Sequence, residues 1–482
     1  MSGFVMAIDA GTTGVRAVLF DRAGHAVSSA YRELRAYYPR PQWVEQDPVE
    51  LWESTRTVMG EAMHGAEASP ADIAAIGITN QRSSVVAWDG PTGRPLSRLL
   101  VWQDTRTGER CAELQTLGFF ITPMMAASKA EWILRNVPEA AEAAARGRLR
   151  LGMPNSFLAA CLCGDVNVSD HGNASPTGMY SYFHNVWDRA PLAALGLDEA
   201  WLPRLVDSSG EIGRTRQSVF GAEVPVAGMA GDQQASLFGL ACVEVGQTKC
   251  SLGTSAMITV NSGESVALGG PGTYPVVGWC YDSRTFFSLE GQVVTSGAAI
   301  QWLRDGLGVV ADASQTSELA FSVADCCGVW AVPAFQGLGT PIMRAEAKAM
   351  IGGLSRGATR AHIVRAMLEG IAHRVADVAD SLHEGVPAAD TVRVDGGASR
   401  NDFLLQCQAD LLGVRVERSS VSDGAALGAA RLAGLGVGFW PREEAAHWEA
   451  QRVFEPSIGA DERAHRRAEW KKRIELVLAA ID

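Results

Sequence analysis

No stretch of this 482-residue chain supplies the ~18 continuous apolar residues that a membrane span requires. A membrane-spanning protein is not expected. The opening residues, MSGFVMAIDAGTT, also lack a basic segment followed by a long apolar one, so secretion is not expected either. Cysteine is sparse and unpatterned: nine residues, an odd count, with Cys161-Leu-Cys163 and Cys326-Cys327 but no repeated CxxC at zinc-ligand spacing. These read as reduced thiols serving as small core residues, which implies a cytoplasmic compartment. Positive charge is in short supply: 42 Lys and Arg stand against 54 Asp and Glu, for a net charge of −12. A nucleic-acid or anionic-membrane partner would need a local basic patch to overcome that field. The densest basic stretch, RAHRRAEWKKR near the C-terminus, has the pattern of an exposed helix face, and neither partner is expected.

What is present is a globular balance, 47% apolar and 20% charged, on a chain long enough for two large domains. FVMAID is an apolar run closed by the turn AGTTG, and VRAVLFD resumes the alternation, giving a strand, a tight polar loop and an antiparallel strand. PVELWESTRTVMGEAM has helical spacing, with Leu51, Trp52, Thr55, Val58 and Met59 on one face. IAAIGIT is a compact buried strand, and the alternation of strands with helices predicts an α/β fold. TKCSLGTSAMITV at 248–260 echoes the opening hairpin about half a chain later. The echo predicts two domains of related topology, residues 1–240 and 241–482. TVRVDGGASRNDFLLQCQADLLG adds a strand, a Gly-Gly turn and a helix with Phe403, Leu404, Cys407 and Leu411 inward, ended by Gly413.

Four short segments carry chemistry. In IDAGTTGVR, Gly11 and Gly14 let backbone N–H groups approach an anion, Thr12 and Thr13 add hydroxyls, and Arg16 adds charge. Asp9, at the strand end, is placed to hold hydrated Mg²⁺. The plain alternative is a decorated β-turn, against which stands the second Gly-Thr loop at 252-LGTS-255. The loop does not match GxxxxGK[ST], so a P-loop is not expected. In GMAGDQQASLFG, Asp232 lies between a Gly-rich turn and a helix, suited to a general base in phosphoryl transfer or to a helix N-cap. Gly396-Gly397 with Asn401 could form a flat floor for an adenine or ribose. Arg82, where ITNQRSS leaves its strand, suits a ligand, a phosphate or a structural carboxylate such as Asp104.

These segments, with WVEQDPVELW, VWQDTR, SGAAIQWLRD, VPAFQGLG and ALGAARLAGLGVGFW in the same order along nearly the whole chain, resemble the FGGY family of carbohydrate kinases, and within it the members acting on glycerol. The resemblance implies two ribonuclease-H-like domains of the actin/hexokinase/Hsp70 superfamily flanking a central cleft, the polyol on the first and MgATP mainly on the second. It implies that Thr12, Thr13, Gly14, Arg16 and Thr254 contact ATP phosphates. Gly297, Gln301, Gly397 and Asn401 would surround the nucleoside, and Asp9 would hold Mg²⁺ through water. Asp232 would be the base, and Arg82, Trp102, Asp232 and Gln233 would line the acceptor pocket.

The chain also departs from that pattern. Ser83 stands where members acting on glycerol carry a glutamate that binds acceptor hydroxyls, and Met124 stands where they carry a tyrosine. A smaller serine and an adaptable methionine wall imply room for a longer acceptor. Ile342-Met343-Arg344 replace an aromatic-Trp-Asp run after GLGTP, which bears on closure or oligomer contacts. The expectation is an ATP- and Mg²⁺-dependent kinase for a primary hydroxyl of a small polyol or sugar, glycerol first, in a chain that could form a homodimer or homotetramer. The alternatives are another polyol such as erythritol, a ketose, or a sensing scaffold without turnover.

Overall fold

The computed structural model describes residues 3–164, 166–421 and 423–481. Two compact units emerge, and the division is discontinuous: the first comprises residues 1–241, 276–286 and 425–447, the second the remainder. This division by contacts differs in two segments from the single cut after residue 240 drawn from the sequence echo. A short hairpin tip and a helix from late in the chain pack with the first unit, and local periodicity carries no sign of that long-range packing.

In the first unit, β1 (Phe4–Ala10), β2 (Gly14–Phe20) and β3 (Ala26–Glu33) form an antiparallel meander. β4 (Ile73–Asn80) adds to β1 in parallel, and β5 (Ser209–Arg214) and β6 (Pro225–Gly231) complete the order β5-β6-β4-β1-β2-β3. β1 and β4 read as continuous apolar runs because both of their faces are covered. α1 (Pro48–Gly65) begins at Asp47, whose side chain accepts from the Val49 N–H, with Pro48 at the first helical position. Its Leu51, Thr55, Val58 and Met59 are buried as their spacing predicts, and Trp52 is partly so. α2 (Ala126–Asn136), α3 (Pro154–Cys163) and α4 (Asp232–Gly239) follow.

A second sheet, whose residues 276–286 are counted with the first unit and the rest with the second, has β7 (Thr248–Leu252), β8 (Ala256–Gly263), β9 (Tyr274–Tyr281), β10 (Arg284–Val293), β11 (Thr391–Asp395), β12 (Arg415–Ser419) and β13 (Ala450–Phe454) in the order β9-β10-β8-β7-β11-β12-β13. β7 is antiparallel to β8 and parallel to β11, as β1 is to β2 and β4. The echoed hairpins thus occupy equivalent places in two related sheets. The helices of the second unit are α5 (Gly297–Asp305), α6 (Arg360–His383), α7 (Asp402–Leu412) and α9 (Ala460–Ala479), while α8 (Gly424–Gly436) lies, from residue 425 on, in the first unit. α6 is buried along most of its length and centres the core. The basic C-terminal stretch lies on α9 and is not wholly exposed: Trp470 is buried and stacks on His373 at 4.7 Å, and Arg467 pairs with Asp377 and Asp380.

α8 returns to the first unit through a face of small residues. A methyl group at Gly77 would collide with the Ala429 carbonyl, one at Gly228 with the backbone of Ala429 and Ala433, and one at Gly428 with Ala235 of α4. Only glycine permits this closeness.

On α2, Lys129 is fully buried and donates to the carbonyls of Pro123 and Met124, both at 2.9 Å. Burial pushes its pKa from 10.5 down to about 7, against the opposing pull of Asp104. Between these values the unfolded chain holds a proton that the folded chain lacks, so this group's contribution to stability rises with pH and levels off above about 10.5. Below about pH 7 both states are charged and the full cost of burying the ammonium remains. Urea denaturation of the wild type and Lys129→Met is therefore expected to show the gap between them changing by about 2 kcal/mol in favour of the wild type between about pH 7 and about pH 9. A constant gap would mean that the amine is charged in the fold.

Candidate active site

The register of the first sheet sets the site. Ala10 and Gly231 both pair with Asn80, so three parallel strands end at one level. Each then leaves the sheet: β1 into residues 11–13, β4 into residues 81–84, and β6 directly into α4. Carboxyl ends of parallel strands are where open α/β sheets take ligands.

The loop after β1 is closed by the Gly11 N–H on the Gly14 carbonyl at 2.9 Å. Gly14 is buried, and a side chain there would overlap the Tyr31 hydroxyl and the Arg32 carbonyl, so packing on β3 alone demands glycine. Buried amides secure the loop from beneath. Gln81 Nε2 donates to the Gly11 carbonyl at 3.3 Å and to Gln46 Oε1 at 2.7 Å, and Gln46 Nε2 donates to the Thr12 carbonyl at 2.6 Å. Gln81 Oε1 accepts from Ser84 Oγ at 3.1 Å, and Ser84 Oγ accepts from the Trp102 N–H at 3.0 Å. The indole Nε1 of Trp102 then donates to Thr12 Oγ1 at 2.9 Å.

That last bond has a chemical consequence. An indole N–H can only donate, so the Thr12 oxygen accepts and its own hydrogen is available to another acceptor. Thr13 Oγ1 likewise accepts from the Tyr31 hydroxyl, at 3.4 Å. Both hydroxyls are thereby set as donors, as an anion requires. Asp9 and Arg16 are direct cross-strand partners, with the Arg16 guanidinium 5.4 Å from the Tyr31 ring centroid. The half-buried Asp9 offers a carboxylate, a hard oxygen donor suited to a hydrated divalent cation.

Arg82 and Asp232 meet at the ends of β4 and β6, with Nε 3.3 Å from Oδ1; the Arg82 side chain is 11% exposed and that of Asp232 36%. Gly231 makes room for this pair, since a methyl group there would overlap the Arg82 side-chain carbons. Asp104 is not the partner of Arg82: it is fully buried, chelated by Arg106, and accepts from the Val44 N–H at 2.7 Å. Nor does Asp232 cap its helix, because Gly231 holds that position; its carboxylate accepts from the neighbouring Gln233 N–H at 2.8 Å. The aspartate stands at the mouth of a buried helix with its oxygens reachable.

Ser83, the residue after Arg82, has a left-handed backbone, φ 59°, and its hydroxyl donates to the Pro176 carbonyl at 3.2 Å, so it braces a turn. Met124 is 45% exposed, and its carbonyl is held by Lys129. Trp102 is half-buried, and beyond serving as wall or core it anchors Thr12. Gln46, Gln81 and Ser84, which sequence reasoning passed over, do most of this anchoring. Glutamines inside the apolar-flanked runs WVEQD and ITNQR were the available signal.

In the second unit, Gly253 and Thr254 are exposed after β7. Their carbonyls are held by the first N–H groups of α5: Gly297 to Gly253 at 2.9 Å, and Ser296 and Ala298 to Thr254 at 3.0 Å each. A side chain at Gly297 would meet the Gly253 carbonyl, so this glycine serves the loop. Gln301 and Gly397 are exposed, with open space where a Gly397 side chain would be. Gly396, at φ 89°, lies against the Leu252 backbone and joins the two strand ends. Asn401 is 8% exposed and caps α7, with Oδ1 accepting from the Leu404 N–H and Nδ2 donating to Thr316 Oγ1, both at 2.9 Å. One lone pair and one N–H of its amide remain beyond these two bonds.

Comparison with known proteins agrees with this architecture. Residues 4–239 match the FGGY family of carbohydrate kinases, N-terminal domain, and residues 248–437 its C-terminal domain. Glycerol kinase 2 of Thermotoga maritima is 43% identical over 98% of both chains, and the glycerol kinase of Caldanaerobacter subterraneus subsp. tengcongensis is 44% identical over the same share. The crystal structure of Plasmodium falciparum glycerol kinase with ADP superposes with a TM-score of 0.92 at 28% identity, covering 98% of each chain.

The capping role of Asn401 has a measurable signature. Asn401→Ala is expected to lower unfolding stability by about 1–2 kcal/mol in urea denaturation, and Asn401→Asp to recover part of it through the carboxylate cap. Equal losses in the two variants would assign the residue some other role.

Proposed function

The chain belongs to the FGGY family of carbohydrate kinases, and on that premise we propose that it transfers the γ-phosphoryl group of ATP to a primary hydroxyl of glycerol, giving glycerol 3-phosphate. Asp232 accepts the hydroxyl proton as that oxygen attacks phosphorus, and ADP departs. Arg82, beside Asp232, orients the carboxylate and holds an acceptor oxygen, with Gln233 as a further polar contact. Thr12 and Thr13 donate to phosphate oxygens, and Arg16 adds positive charge. Asp9 would hold Mg²⁺ through water, where the ion neutralises charge on the phosphates. Thr254, Gln301 and Gly397 are the nucleotide contacts proposed for the second unit.

One observation carries the choice of base: among the described residues that directly follow β1, β4 and β6, the carboxylate is Asp232, salt-bridged to Arg82 yet 36% exposed. The donor-set threonines at the neighbouring strand end support the phosphate assignment, because preorganised donors are what a transferring phosphoryl group needs. All nine cysteines are free thiols, in keeping with a reducing compartment.

Release of ADP from MgATP with glycerol, dihydroxyacetone, erythritol, xylitol, ribulose, xylulose and gluconate tests the reading. Glycerol is expected to give the highest kcat/KM, and Asp232→Asn to lower kcat by roughly 10²–10⁴-fold. A longer polyol in first place would reassign the acceptor, and turnover surviving in Asp232→Asn would remove the base. Trp102→Phe keeps an aromatic ring but loses the N–H to Thr12. It is expected to lower kcat/KM for MgATP about tenfold, the scale of one hydrogen bond, with the KM for glycerol unchanged. A change confined to glycerol would make Trp102 a wall and no more.

A further inference from the structure

Away from that site, the described residues gather one trio of metal-ligating side chains: His171, Asp207 and Cys280, whose donor atoms all lie within 4.8 Å of one another. They come from three separate segments of the first unit: the short helix His171–Ala174, the turn before β5, and the end of β9. Metal–ligand bonds of about 2.0–2.3 Å place tetrahedral donors about 3.3–3.8 Å apart, so small side-chain rotations close the set.

The surrounding hydrogen bonds orient this trio. Tyr180 gives its one hydroxyl hydrogen to Asn185 Oδ1 at 3.1 Å, so its oxygen accepts from His171 Nδ1–H at 2.8 Å. That fixes the tautomer and leaves the lone pair on Nε2, the arrangement typical of a metal-binding histidine. Asn185 Nδ2 donates to Thr285 Oγ1 at 3.1 Å, and the Cys280 thiol lies 3.4 Å from the same oxygen. Once that thiol loses its proton, the Thr285 hydroxyl can turn and donate to the sulfur. Asp207 Oδ2 accepts from the Ser283 N–H at 3.0 Å, which holds the carboxylate toward the same hairpin. Each of the three donors thus has its own polar support.

We propose that His171, Asp207 and Cys280 bind a borderline-soft divalent transition ion, zinc before others, with a fourth position open to water. One sulfur and one imidazole favour such an ion over the hard magnesium that accompanies ATP. Binding forms a metal–sulfur bond, breaks the S–H bond and releases that proton to solvent. The consequence reaches α4. Gln234 Nε2 donates to the carbonyl of Gly172, next to His171, at 3.1 Å, and Phe238 packs edge-on against Trp279, next to Cys280, at 5.3 Å. The ion would staple together the two segments that flank the helix bearing Asp232.

Cobalt(II) titration of the metal-free, reduced full chain tests the site. The wild type is expected to bind one ion per chain with a thiolate-to-cobalt charge-transfer band in the near ultraviolet, and zinc is expected to bleach it. A hundredfold excess of zinc over its Kd should raise Tm by about 5 °C. Cys280→Ser should abolish the band, His171→Ala should weaken cobalt binding at least tenfold, and Cys327→Ser, which removes the exposed thiol, should change neither. No charge-transfer band in the wild type overturns the proposal, as does a band that survives in Cys280→Ser or is lost in Cys327→Ser.

Discussion

The buried amide of Gln81 is the constraint on which the arrangement of the first unit's site depends. At 2% exposure it must find partners within the protein, because an unsatisfied buried polar group costs about 1–3 kcal/mol. It finds them in the Gly11 carbonyl, Gln46 and Ser84, and through these it ties the loop after β1 to the turn after β4 and to the Trp102 segment. Arg82 is the next residue. A single side chain thereby couples the loop of Thr12 and Thr13, the proposed phosphate contacts, to Arg82 beside the proposed base. Satisfied networks of this kind rigidify, and phosphoryl transfer benefits from donors that need no rearrangement at the moment of reaction.

The second unit solves the equivalent problem with different chemistry. Its Gly-Thr loop after β7 is held by N–H groups at the start of α5, and two glycines, Gly297 and Gly396, allow backbone to lie on backbone. The two related sheets therefore share strand order around their central hairpins while differing in what fixes their loops: side-chain amides in one, absent side chains in the other.

These differences explain how far the sequence could be read. The opening hairpin, α1 and the Gly413 end of α7 were legible because periodicity and turn chemistry act over a few residues. Asp232 was legible as a strand-to-helix carboxylate, and its pairing with Arg82 answers what that arginine holds. The capping bond of Asn401 was not legible, because an asparagine three residues before a helical N–H looks the same whether it faces a ligand or caps the helix. The exposure of Met124 was not legible either, because a family position does not reveal it. The trio of His171, Asp207 and Cys280 has no local spacing at all, since three distant segments build it.

The position of Asp232 is itself a long-range result. α4 carries the proposed base, and its Ala235 lies where Gly428 of α8 has no side chain. The Arg431 guanidinium donates to the Gly239 carbonyl at the far end of α4 at 2.8 Å, and Ser209 Oγ donates to the Leu432 carbonyl at 2.7 Å. Gly77 of β4 and Gly228 of β6 admit the same helix against the strands that deliver Arg82 and Asp232. A methyl group on any of the three glycines would press on backbone, which cannot rotate away, and the displacement would pass along rigid elements to the arginine–aspartate pair. The small-residue run ALGAARLAGLG, some 190 residues beyond Asp232, is thus part of what sets the geometry at the strand ends. Its alanines and glycines serve close approach rather than flexibility, and the late segment belongs with the first unit for that reason.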